Sequence, residues 1–190
     1  MGFGIHVGWA IEGAIGSAFK IDATYISPHV EMSDRLEAST KVFGVPLVMS
    51  EWFVGLLSPA ARAFLRRLDC VKVRGCPVPF TVYTFDMTNF PAVFAEPRFD
   101  EYGSQIAVNF EEDMQYRQLQ LGLSSEFFDT YNEGYNAYVC GQWEDARKLF
   151  ERVLQIVPVD GPTKNLMDFM ETTSFVPPRN WKGSRYMPDF

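Results

Sequence analysis

The stretch "DCVKVRGCPVPFTVYTFD", Asp69 to Asp86, constrains the chain more than any other. Val71 and Val73 alternate with Lys72 and Arg74, a turn centred on Gly75 follows, and Phe80, Val82 and Thr84 alternate back. Period-two alternation on both sides of a glycine turn predicts an antiparallel hairpin with one apolar face. Two strands alone are marginal in water, so that face needs further strands and a helix to cover it. The rest of the chain has to supply them.

Ser27-Pro28 places an N-cap hydroxyl before a proline at the first helical position, where the missing N–H costs nothing. The helix predicted from there ends at Gly44. "VPLVMS", Val45 to Ser50, reads as a short buried strand and "EWFVGLLS" as a short helix. "SPAARAFLRRL", Ser58 to Leu68, opens with the same Ser-Pro signal and reads as another helix. Upstream, Gly4 to Ile15 predicts one strand running into a glycine-rich bend at Gly13 and Gly16. These glycines do not form a phosphate loop, because neither GxxxxGK[ST] nor GxGxxG before a helix is present.

A chain of 190 residues with 47% hydrophobic content can bury a core for one domain or somewhat more. A net charge of -7 with no run of Lys and Arg argues against a nucleic-acid or anionic-membrane surface. Cys70, Cys76 and Cys140 lack paired short spacing, which argues against a zinc site or disulfide framework and fits a reducing cytosol. The apolar start "MGFGIHVGWAIEGAIGSAFK" has no basic leader and carries Glu12, so it is not read as a signal peptide. No apolar stretch approaches the ~20 residues of a membrane span. The expected location is the cytoplasm, as a free protein or as the cytosolic part of a larger membrane protein.

The second half changes character. Residues 88–123 are rich in Phe, Pro and acids and read as a surface connector. From Ser124 the period is helical, with a break at Gly141 and an end at Pro158. Gly134, Gly141, Trp143, Ala146, Phe150 and Pro158 fall at the offsets of one tetratricopeptide repeat. About three repeats are needed for a stable stack, so this pair is expected to pack on the preceding domain or on a helix at Thr163 to Glu171. The tail "FVPPRNWKGSRYMPDF" is too rich in proline to be helical, and Trp181 either anchors it or frays with it. The expected divisions are 1–87, 88–123, 124–175 and 176–190.

Within the first helix, Met32, Leu36 and Phe43 share a stripe, with Glu31 and Arg35 on the stripe beside it. Two readings are open. The pair is an i,i+4 salt bridge of ~0.2–0.5 kcal/mol, or Arg35 serves a ligand's negative charge. His6 in a strand, His29 in the first helical turn and Glu12 are weaker candidates, with no base or metal partner assignable from sequence.

"GIHVGWAIEGAIGS", "YISPHVEMSDRLEASTK" and "VKVRGCPVPFTVYTFD", in this order and spacing, resemble the second half of the class III adenylate/guanylate cyclase catalytic domain. The likeness runs from Gly4 to Asp86. The tetratricopeptide-like segment is similar to the region C-terminal to such domains in some multidomain cyclases of single-celled eukaryotes. The resemblance implies an α+β fold: a partial, ferredoxin-like cyclase sandwich followed by a tetratricopeptide-like helical hairpin. It implies a role in cyclic-nucleotide biosynthesis and intracellular signalling, with ATP or GTP as substrate. Attack of the ribose 3′-hydroxyl on the α-phosphate needs two Mg2+ or Mn2+ ions and a cation on the developing charge. The family's metal carboxylates lie in the first half of the domain, which is not in this chain.

Arg35 matches the family's transition-state arginine, and Glu31 stands where the family has Asn. An acid there repels a triphosphate and can hold Arg35 in an ion pair. The base-selecting position falls on Thr24, which favours ATP, unless Thr24 only caps the approach to the helix. The family's triphosphate lysine falls on Cys76. Arg74 can substitute for it, or it belongs to a solvated strand face. The implied partners are a second cyclase-type subunit, sharing the site across a dimer, and a protein docking on the helical segment. The competing expectation is a non-catalytic dimerisation or scaffold module derived from a cyclase.

Overall fold

A computed structural model describes residues 1–17, 19–88, 101–103 and 118–187. The fold is α+β. In chain order it runs β1 (Phe3–Ile5), β2 (Ile11–Gly16), β3 (Ile21–Ile26), α1 (Pro28–Phe43), β4 (Leu47–Ser50), α2 (Glu51–Val54) and α3 (Pro59–Ala63). It continues with β5 (Leu65–Lys72), β6 (Phe80–Phe85), α4 (Ser125–Val139), α5 (Trp143–Ile156), α6 (Gly161–Glu171) and β7 (Arg185–Tyr186). Five strands form one mixed sheet in the order β1-β4-β6-β5-β7, while β2 and β3 make a separate antiparallel ribbon.

The predicted hairpin is the centre of the sheet. β5 and β6 pair antiparallel, Val71 opposite Phe80 and Leu65 opposite Phe85. Their alternate residues Leu68, Val71, Phe80 and Val82 are buried against Leu36 and Phe43 of α1. Helix α1 starts as its sequence dictates, with Ser27 Oγ accepting from the His29 N–H at 2.9 Å and Pro28 next. It ends at Gly44, whose φ of +67° is the left-handed conformation that glycine adopts without strain. That end is also a close contact. A Cβ on Gly161, at the start of α6, would lie 2.5 Å from the Phe43 carbonyl oxygen.

Three expectations are corrected. Gly4 to Ile15 is not one strand: β1 ends at Ile5 and β2 begins at Ile11, and the chain between them passes over His29. A Cβ at Gly8 would lie 2.1 Å from the His29 ring, so only glycine allows the crossing. The segment around Thr24 is itself a strand, β3, in register with β2 (Thr24 opposite Gly13). Ser58 to Leu68 is helical only over Pro59–Ala63, because from Leu65 the chain joins the sheet and buries Arg66 and Leu68 on alternate positions. The connector falls largely outside the described residues, and its helix-like stretch "EEDMQYRQLQLGL" is described only from Gln118 onward.

Helices α4 and α5 pack face to face around Tyr131, Trp143, Ala146 and Phe150, with Gly134 directly against the Phe150 ring. They also join the sheet. Arg66 of β5, 3% exposed, donates to Asp86 and to Asp160, the residue 94 positions away that caps α6. Its guanidinium lies 4.6 Å from the ring centre of Tyr131 and 5.1 Å from that of Phe127. The Tyr131 hydroxyl donates to the Arg67 carbonyl at 2.9 Å. The tail returns to the same sheet: β7 runs parallel to β5, and Arg185 pairs with the fully buried Asp69. Trp181 Nε1 donates to the carbonyls of Tyr138 and Val139.

Replacing Arg66 by Leu would leave two buried carboxylates uncompensated. The expected loss is ~3–5 kcal/mol of stability. Urea unfolding followed by tryptophan fluorescence checks it.

Candidate functional site

The predicted residues meet at one end of the sheet only in part. Arg35 projects from the second turn of α1 with its side chain 25% exposed. One guanidinium nitrogen pairs with Glu31, and the other donates to the Arg74 carbonyl at 2.7 Å. Arg74 therefore contributes its backbone to this site, from the turn after β5, while its own side chain is exposed. Arg35 is fixed at two points and open on its remaining side. Glu31 is 63% exposed, so water screens the pair. The geometry is that of an i,i+4 pair, and it also presents a cation beside the mouth of the hairpin turn.

Thr24 stands apart. It is half-buried on β3 of the ribbon and, among the described residues, makes no hydrogen bond to Arg35, Glu31 or Arg74. Cys76 is half-buried and its thiol faces the Val78 carbonyl at 3.2 Å.

The structure brings together two residues that the sequence left unpartnered. His6, just after β1, places Nε2 2.8 Å from Nδ1 of His29 and Nδ1 2.7 Å from Ser50 Oγ. Burial, followed by the charge of His29, holds the His6 imidazole below its ordinary value. Ser50 is fully buried and caps α2, so its hydroxyl is a structural partner, out of reach of a substrate. Nothing in the spacing of the two histidines reveals the contact. Recognising β2–β3 as a hairpin is what would have brought residues 6 and 29 to its common root.

Among the described residues, no group of three or more His, Cys, Asp or Glu side chains could hold a metal ion. Those described residues do not by themselves make up a two-metal centre. Nor, among the described residues, is any helix long and apolar enough to cross a membrane.

No protein-family profile matches the chain. An adenylate cyclase of Anabaena cylindrica is 34% identical to it over 84 residues, which are 44% of this chain and 17% of that protein. The chain thus spans a small part of the relative's length and is similar to it over less than half of its own.

Because the Arg35–Glu31 pair is half open to water, it contributes little to stability. Glu31→Gln is expected to shift the unfolding free energy by less than about 0.5 kcal/mol. A chemical denaturation curve with unchanged slope checks it.

Proposed function

We propose that the chain is the second half of a class III cyclase-type catalytic unit, acting on ATP in cyclic-nucleotide signalling. The observation that carries the reading is the 84-residue likeness to an adenylate cyclase; to it we add Arg35, which the sequence resemblance aligns with the family's transition-state cation. Arg35 is the group we assign to the negative charge that develops on the α-phosphate as the ribose hydroxyl attacks. Its two fixed contacts preorganise it, so that no reorientation is needed in the transition state. Thr24 is assigned to the base and Arg74 to the outer phosphates.

We assign the family's metal carboxylates to a second cyclase-type subunit, with which the site would be shared. The β2–β3 ribbon is the surface assigned to that contact. Ile11, Ile15, Ile21, Tyr25 and Ile26 on it are all more than half exposed or at half exposure. A ribbon of that composition without a cover is a poor free-standing element. The helical pair α4–α5, read as tetratricopeptide-like, is assigned to the docking of a further protein.

A second reading has its own observation. Glu31 occupies Arg35, and an acid beside the phosphate position opposes nucleotide binding. On that reading the chain is a non-catalytic dimerisation module derived from a cyclase.

Turnover decides between them. The purified chain alone, with ATP and either magnesium or manganese, is expected to form no cyclic nucleotide. Mixed with a cyclase subunit that carries the metal carboxylates but lacks its own arginine, it should restore activity. Arg35→Ala should then lower turnover ~10²–10³-fold, as for loss of one preorganised donor. Glu31→Asn should raise it. No activity in the mixture, or no response to either substitution, would favour the non-catalytic module.

A further inference from the structure

We propose that the two histidines form a proton-sensitive clasp that fixes the β2–β3 ribbon to the sheet. None of its residues belongs to the nucleotide site proposed above, and the inference stands without that reading.

The ribbon is attached at a single root. It leaves the body after β1 and returns just before α1, with His6 just after β1 and His29 in the first turn of α1. Every residue of β2 is exposed, and in β3 only Thr24 is partly covered. A two-stranded ribbon with no buried face gains little stability from itself, so its pose depends on its root. The contacts there converge on the imidazoles. His6 bonds His29 and Ser50, Trp52 meets the His6 ring edge-on at 5.4 Å, and Trp9 meets the His29 ring edge-on at 5.9 Å. Ser27 Oγ closes the root by donating to the Trp9 carbonyl at 2.5 Å.

One hydrogen can occupy the contact between the two rings. With both imidazoles neutral, one nitrogen donates and the other accepts. One added proton leaves an imidazolium donating to an imidazole, and the bond survives. With both rings charged, each ring nitrogen carries a hydrogen and neither retains a lone pair. The bond is then lost and two like charges face each other.

Among the described residues, no carboxylate is turned to the two rings to offset that repulsion. From α2, Glu51 is turned to β6, where it accepts from the Thr81 N–H at 2.7 Å. From α1, Glu31 is held by Arg35, while Asp34 and Glu37 lie further along the helix. On the ribbon, Lys20 pairs with Asp22 at 2.9 Å, and Glu12 is exposed opposite Tyr25. Beside burial, the charge that acts on His6 is that of His29.

The sign follows from the direction of the His6 shift. Its value in the folded chain lies below the ordinary 6.5, so the clasp is complete above that pH. It weakens as the pH falls through the lower, folded value.

Amide hydrogen exchange on the full chain, corrected for the intrinsic rate, tests this at about pH 7.5 and about pH 5. Protection over 11–16 and 21–26 should fall ~10-fold or more at acid pH, while β5 and β6 keep theirs. In His29→Gln the ribbon should exchange equally at both pH values. If that variant does not fold, the imidazole resonances of the unmodified chain decide. The pair should take up protons in two separated steps, and ribbon resonances should follow the second. Equal protection at both pH values, independent titration of the two rings, or acid loosening that persists in His29→Gln would each overturn the clasp.

Discussion

The guanidinium of Arg66 is the point on which the described structure turns. It belongs to the central hairpin by sequence, yet it binds a carboxylate at the end of β6 and another at the start of α6. A lone buried cation would be costly, and two buried carboxylates costlier still. The arrangement balances them with nearby dipoles. Asp160 also accepts from the Thr163 N–H and hydroxyl at 2.9 and 2.5 Å, at a helix N-terminus, where negative charge is favoured. Burial pushes the Asp86 carboxyl upward, and the adjacent guanidinium pulls it back. The flat cation then stacks over two aromatic rings of α4, so one residue orients sheet, helical pair and α6 together.

This coupling reaches the candidate site through α1. The C-terminal end of that helix abuts α6 at Gly44 and Gly161, and Asn165 donates to the Val42 carbonyl at 3.1 Å. Its N-terminal end carries His29, Glu31 and Arg35. A rigid helix clamped at one end by the helical segment and at the other by the ribbon root holds Arg35 at a defined place. The helical segment therefore does more than trail the cyclase-like part. It sets the pose of the helix that bears the cation.

Local signals were legible where one face is buried and the turn chemistry is explicit. The β5–β6 alternation, the Ser27-Pro28 start and the Gly44 stop could all be read from the residues, as could the breaks around Gly141. Elements whose reason is tertiary could not. Ser58-Pro59 announces a helix, but Arg66 is needed in the sheet, and a strand takes over after one turn. β2 and β3 bury neither face, so their pairing leaves no in/out alternation to read, and the strand expected over Gly4 to Ile15 does not reveal the break between β1 and β2. At the site, the Glu31–Arg35 pair follows from spacing. The contribution of the Arg74 carbonyl, rather than its side chain, depends on how the β5–β6 turn folds back, and the histidine contact depends on a hairpin that composition hides.

The parallel pairing of β7 with β5 has a consequence for how this protein comes into being. Val71 waits for Arg185, and the buried Asp69 waits for the same arginine. A chain emerging from the ribosome can form the hairpin and α1 early. It cannot neutralise Asp69 until both helices of the pair, and α6 after them, have been made. Contacts between residues so distant in sequence form slowly. The nascent sheet thus keeps an acidic, unfinished edge while the helical segment is being translated, and only the strand that comes after that segment seals it.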